Sequence, residues 1–105
     1  MKEINVNELK QMFDNNENFQ LIDVREGYEV EIATLGGEHI PMAEVMQHLG
    51  RISKDKKVVV HCRSGKRSAA VIQALETQHG FSNLYNLKGG ILAYADEIDH
   101  SLSKY

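Results

Sequence analysis

Apolar and polar positions follow two rhythms along the chain. Ile4 opens a short apolar start, after which Leu9, Met12 and Phe13 are spaced as one face of a helix ending at Asp14-Asn15-Asn16. Asn5 and Glu8, three residues apart, fit a capping box at its first turn. Phe19 to Val24 predicts a buried strand, and Glu26 to about Ala33 a short helix bearing Tyr28 and Ile32. The chain breaks at Gly36-Gly37, and His39-Ile40 predicts a brief strand closed by Pro41. Met42, Val45, Met46 and Leu49 are spaced as another helix. The β-branched run Val58-Val59-Val60 predicts a central strand through His61, buried on both faces. Val71, Ile72 and Leu75 mark the inner face of the next helix, which stops near Gly80. Asn83 to Leu87 predicts a last strand, and Ile91, Tyr94, Ala95 and Ile98 a closing helix. Strands alternating with helices imply an α/β fold with a parallel sheet covered on both faces. Ligands of such sheets bind beyond the carboxyl ends of the strands.

Composition narrows the function classes. The 105 residues suit one domain, and 42% hydrophobic with 26% charged residues is ordinary for a soluble globular chain. A net charge of −3 argues against a general nucleic-acid binder. No apolar run approaches the roughly 18 residues of a membrane span, and Met1-Lys2-Glu3-Ile4-Asn5 lacks the apolar core of a signal peptide. The single cysteine cannot form an internal disulfide, so a reducing compartment is expected, with the cytoplasm as the default. His39, His48, His79 and His100 are scattered and join no cysteine at zinc spacing, so no metal or other cofactor is expected.

That cysteine, Cys62, follows the central strand directly. Behind it come Arg63, Ser64, Gly65, Lys66 and Arg67, then a helix opening near Ser68. A strand, a cationic turn and a helix start are the parts of an anion cradle, in which unpaired N–H groups and the helix dipole face whatever sits on Cys62. Such surroundings lower a thiol from its ordinary pKa of about 8.5 and favour the nucleophilic thiolate. A lone cysteine is often only a small buried hydrophobe; three cations in the next five positions make a reactive sulfur the better reading. His61 adjoins the nucleophile, but neighbours on a strand point to opposite faces, so it is expected to turn away.

The run Cys62-Arg63-Ser64-Gly65-Lys66-Arg67-Ser68 resembles the active-site loop of the rhodaneses, sulfurtransferases that carry a persulfide on one cysteine. Leu21-Ile22-Asp23-Val24-Arg25-Glu26 and Asn83-Leu84-Tyr85-Asn86-Leu87-Lys88-Gly89-Gly90-Ile91 resemble two further stretches of that family, in the same order. Leu35-Gly36-Gly37-Glu38-His39-Ile40-Pro41 and Tyr94-Ala95-Asp96-Glu97-Ile98-Asp99 are most similar to the rhodanese domains attached to adenylyltransferases that load sulfur-carrier proteins. The resemblance implies a single rhodanese domain over residues 1–105, a three-layer fold with five parallel strands, and a thiosulfate-type sulfurtransferase. Cys62 would be the catalytic nucleophile, with Arg63, Ser64, Gly65, Lys66, Arg67 and Ser68 forming the substrate-binding loop. Arg63 and Lys66 are expected to reach outward, whereas Arg67 could instead turn in to support the loop. Ser68 is expected to cap the helix, with a hydrogen bond to the sulfur as the alternative. Asp23 and Arg25 are implied to be structural support, a buried ion pair. The expected partner is a small anionic donor such as thiosulfate, a persulfide donor or a sulfur-carrier protein, with neither nucleic acid nor membrane involved.

Two other readings compete. A persulfide relay or binding module would accept and pass on sulfur without rapid thiosulfate turnover. A cysteine phosphatase or arsenate reductase on the same fold needs five residues between cysteine and arginine; here four separate Cys62 from Arg67, a loop better matched to a single sulfur atom. Departures from the family pattern are Gly27 where many members have proline, Tyr94 where tryptophan is common, and Gly36-Gly37-Glu38 in place of a proline-glycine-alanine turn.

Overall fold

The computed structural model describes residues 1–105. Five strands form one parallel sheet: β1 (Lys2–Ile4), β2 (Gln20–Asp23), β3 (Glu38–His39), β4 (Val58–His61) and β5 (Leu84–Leu87), in the order β1-β5-β4-β2-β3. The helices are α1 (Val6–Asp14), α2 (Gly27–Ile32), α3 (Lys66–His79) and α4 (Gly90–Glu97). Period-two side chains divide the strands between two cores. Ile22, Val58 and Val60 join Val71, Ile72 and Leu75 of α3 on one face. Leu21, Val59 and Leu87 join Leu9 and Met12 of α1 and Tyr94 of α4 on the other. The capping box opens α1 as the sequence requires: Asn5 Oδ1 accepts from the Glu8 N–H at 2.8 Å, and Glu8 Oε1 accepts from the Asn5 N–H at 3.0 Å.

Chain direction locates the site. From β2, helix α2 leads outward to β3; from β4, helix α3 leads the other way to β5. The order reverses between β2 and β4, and a crevice opens at their carboxyl ends. Asp23 and His61 are register partners at that edge, so Val24-Arg25 and Cys62-Arg63 leave the sheet side by side.

One expected helix takes another form. Met42–Gln47 and Leu49–Arg51 are two short 3-10 turns, closed by bonds such as Glu44 N–H to Pro41 O (2.8 Å) and His48 N–H to Val45 O (3.0 Å). Only Val45 of this stretch is fully buried, while Met42 and Met46 stand about 40% exposed. Helix α2 is equally short, but it has a capping box at Glu26 and Glu29 and a Glu29 carboxylate tied to Arg67, whereas Met42–Gln47 follows Pro41 with no side-chain cap and keeps to tight i to i+3 turns.

Helix α2 starts with Gly27 at its first position, and a Cβ built there meets nothing within 4 Å. Gly27→Pro is expected to stabilise the protein by about 0.4–1 kcal/mol, because proline restricts the unfolded chain and fits the first helical turn. A rise in the urea midpoint with an unchanged slope checks this.

Candidate active site

Cys62 leaves β4 and turns its sulfur into the mouth of α3. Its Sγ lies 3.1 Å from the Gly65 N, 3.4 Å from the Ser68 N and 3.4 Å from Ser68 Oγ. The residue is 1% exposed. Burial pushes the thiol up, but hydrogen bonding from Ser68 and from the amides of Gly65 and Ser64 outweighs it, holding the group below an ordinary cysteine. These donors are aimed at one atom, which is what stabilises a negative sulfur.

The loop faces this way because its back is held. The Cys62 and Arg63 carbonyls accept from the N–H groups of Ile91 (3.0 Å) and Leu92 (3.1 Å) in the first turn of α4. That approach needs Gly90: its φ is +60°, and a Cβ there would stand 2.7 Å from the Cys62 oxygen and closer still to that of Arg63. Gly65 turns the chain into α3 at φ +103°, a conformation costly for other residues. Its carbonyl accepts from Asn86 Nδ2 at 3.1 Å, while Asn86 Oδ1 accepts from the Ser68 hydroxyl at 2.5 Å. Asn86 thus takes the one Ser68 hydroxyl proton and leaves Ser68 Oγ beside the sulfur as an acceptor for the thiol proton, so the amides of Gly65 and Ser68 are the donors to a thiolate. Ser68 does not cap α3, contrary to expectation; it lies inside the helix, and Gly65 stands at the cap without a side-chain bond.

The cations separate into three situations. Lys66 is exposed, with no ion-pair partner. Arg67 turns in and forms a two-pronged pair with Glu29 (2.7 and 2.8 Å), so it is not a free donor to an incoming anion as its place in the substrate-binding loop suggested. Arg63, expected to reach outward, donates to the main-chain oxygen of Tyr105, and its guanidinium carbon lies 5.0 Å from the centre of that ring. Ser64 is exposed at the tip of the loop.

Beneath the loop, Arg25 is completely buried and paired with Asp23 at 2.8 Å. It donates also to the carbonyls of Glu29 (3.3 Å) and Ala33 (2.7 Å) and to the Tyr105 hydroxyl (2.8 Å). Glu29 accepts from Arg67, from the Tyr105 hydroxyl (2.7 Å) and from the Glu26 N–H (3.0 Å). Arg67 above all, against the cost of burial, holds its carboxyl down at about 2. Glu29 and Tyr105 were given no role in the sequence reading, and Asn86 entered it only within the family stretch Asn83 to Ile91. The one available signal was a carboxylate in α2 between Tyr28 and Ile32, both of which prove exposed.

His61 turns away from Sγ, its Nε2 lying 3.7 Å from Asp23, too far for a hydrogen bond. Burial pushes its imidazole down, with Asp23 opposing and Arg25 assisting. The folded chain therefore keeps His61 neutral where the unfolded chain, titrating near 6.5, takes up a proton. Below that value the unfolded state binds more protons, so stability falls as the solution is acidified. His61→Leu is expected to flatten this dependence between about pH 8 and about pH 5.5, read from urea midpoints.

Residues 5–97 match the family model of the rhodanese-like domain. The putative sulfurtransferase YtwF of Bacillus subtilis is 38% identical over 92% of this chain and 93% of its own. The probable adenylyltransferase/sulfurtransferase MoeZ of Mycobacterium tuberculosis is 32% identical over 93% of this chain, which spans only 26% of that protein. A rhodanese-like domain protein from Staphylococcus aureus superposes with a TM-score of 0.83 at 30% identity, over 100% of this chain and 99% of that one. The five-stranded parallel sheet is the fold of these neighbours. Two of these relatives are named as sulfurtransferases, YtwF putatively and MoeZ together with an adenylyltransferase. The chain belongs to the rhodanese-like domain family.

Proposed function

We propose that this chain is a sulfurtransferase that carries sulfane sulfur as a persulfide on Cys62. The donor is thiosulfate or a persulfide, and the acceptor a thiol, cyanide or a sulfur-carrier protein. The observation that supports this reading is the convergence of the Gly65 and Ser68 amides on Sγ. With thiosulfate, the Cys62 thiolate attacks the outer sulfur. A new S–S bond forms, the old one breaks, and its electron pair leaves with sulfite. Cyanide then takes the outer sulfur as thiocyanate and regenerates the thiolate. Each step moves one negative charge between sulfur atoms inside the same ring of donors, so preorganised electrostatics lower both barriers. Arg67, committed to Glu29, shapes the loop in this scheme, and Lys66 draws anions toward it.

Mass measurement tests the reading. Incubation with thiosulfate, or with glutathione persulfide, is expected to yield protein one sulfur atom heavier, returned to its starting mass by cyanide. Cys62→Ser is expected to gain nothing; a gain in that variant, or none in the native chain from either donor, overturns the proposal. The similarity to MoeZ supports a carrier-protein acceptor: the Cys62 persulfide attacks the adenylated carboxyl terminus of the carrier, AMP leaves, and an added thiol then reduces the S–S bond to release free Cys62 and the carrier thiocarboxylate, whose appearance by mass tests that part.

A further inference from the structure

Tyr105 bridges the two walls of the crevice. On the β2–α2 side its hydroxyl accepts from Arg25 Nη1 (2.8 Å) and donates to Glu29 Oε2 (2.7 Å). On the loop side its main-chain oxygen accepts from Arg63 Nη2, and its ring lies against the same guanidinium. The segment leading to it is fastened as well: Leu102 packs on the core beside α4, and Lys104 pairs with Asp96. Burial keeps the phenol above its ordinary value, so it remains a neutral donor to Glu29. With Arg67 held by Glu29 and Arg63 held by Tyr105, Lys66 is the only loop cation without a partner.

We propose that Tyr105 is a specificity-determining residue: by occupying Arg63 it disfavours small inorganic oxyanion donors and favours organic persulfides. This deepens the sulfurtransferase reading and rests on it. Thiosulfate presents three oxygens, and a guanidinium is their natural partner. To use Arg63, thiosulfate must first break a charge-assisted hydrogen bond and a cation–π contact that already satisfy it. A persulfide on an organic thiol carries its sulfane sulfur without those oxygens, so it neither needs Arg63 nor loses anything by its being held. Selection therefore works through the ground state of the empty site.

Tyr105→Ala removes the ring from Arg63 and the side-chain anchor that holds the Tyr105 main-chain oxygen against it, and Tyr105→Phe keeps the ring while cutting that anchor to Arg25 and Glu29. In thiosulfate:cyanide turnover, Tyr105→Ala is expected to lower KM for thiosulfate about tenfold, with Tyr105→Phe intermediate. The effect is expected on KM rather than kcat, to vanish in an Arg63→Ala background, and to leave KM for glutathione persulfide within about twofold. A second arm needs no turnover. Uncharged iodoacetamide is expected to alkylate Cys62, and sulfate, an unreactive oxyanion, to protect it at about tenfold lower concentration in Tyr105→Ala than in the native chain. Unchanged sulfate protection, or an equal gain in the Arg63→Ala background, overturns the proposal. Absence of any sulfur loading sinks the sulfurtransferase reading instead, and the sulfate arm still reports on Tyr105. Thermal melts of both variants accompany the assays; sulfate protection unchanged in a folded Tyr105→Phe and Tyr105→Ala counts against the inference.

Discussion

Asp23→Asn is expected to cost about 3–5 kcal/mol of folding stability, a large share of the 5–15 kcal/mol typical of a domain. The substitution is nearly isosteric, so the loss would not come from a cavity. It comes from charge: Arg25 is fully buried, and its Nε and Nη2 groups sit 2.8–3.2 Å from the Asp23 carboxylate. The carbonyls of Glu29 and Ala33 and the Tyr105 hydroxyl would still accept hydrogen bonds, but none carries a compensating negative charge. Urea unfolding measures the loss. Removing both charges together, as in Asp23→Asn with Arg25→Met, is expected to recover much of it, since no buried charge is then left alone. A loss under about 1 kcal/mol in the single variant would mean that water reaches the pair.

Gly90→Ala is expected to strike function harder than any other small surface-to-core change. The left-handed backbone alone costs about 1–3 kcal/mol. The new methyl would also press on the carbonyls of Cys62 and Arg63, which are backbone and cannot swing aside. The loop must retreat from α4, and the amides of Gly65 and Ser68 then lose their aim at Sγ. Misplacement on the order of 1 Å in such a site costs about 10²-fold in rate, read here as the rate of sulfur loading on Cys62. Gly27→Ala is the control: its Cβ enters open space, and loading is expected to be unaffected.

Most of the sheet was legible because strand burial imposes a pattern on consecutive residues. Val58-Val59-Val60, with every side chain buried, can only be a strand covered on both faces. The sulfur cradle was legible for a similar reason, since its donors fall within six residues of Cys62. The rest of the site is assembled from distant residues. Glu29 meets Arg67 across 38 positions, and Tyr105 meets Arg25 across 80. In sequence, Glu29 is one more carboxylate on a short helix, and nothing local says that it will be buried. Asn86 interrupts an apolar strand and was read only as part of a family stretch; its role depends on Ser68, 18 positions away. The 3-10 turns after Pro41 were missed because four apolar residues at helical spacing do not reveal that Val45 alone is fully buried, Leu49 only partly, and Met42 and Met46 exposed.

The outermost strands carry a last consequence. Lys2–Ile4 on one flank and Glu38–His39 on the other are two or three residues long, and each contains charge. A neighbouring molecule finds no uninterrupted row of peptide groups on which to zip. Concentrated solutions are therefore protected from fibre growth by strand addition, and recognition of this domain by another protein must be written in side chains.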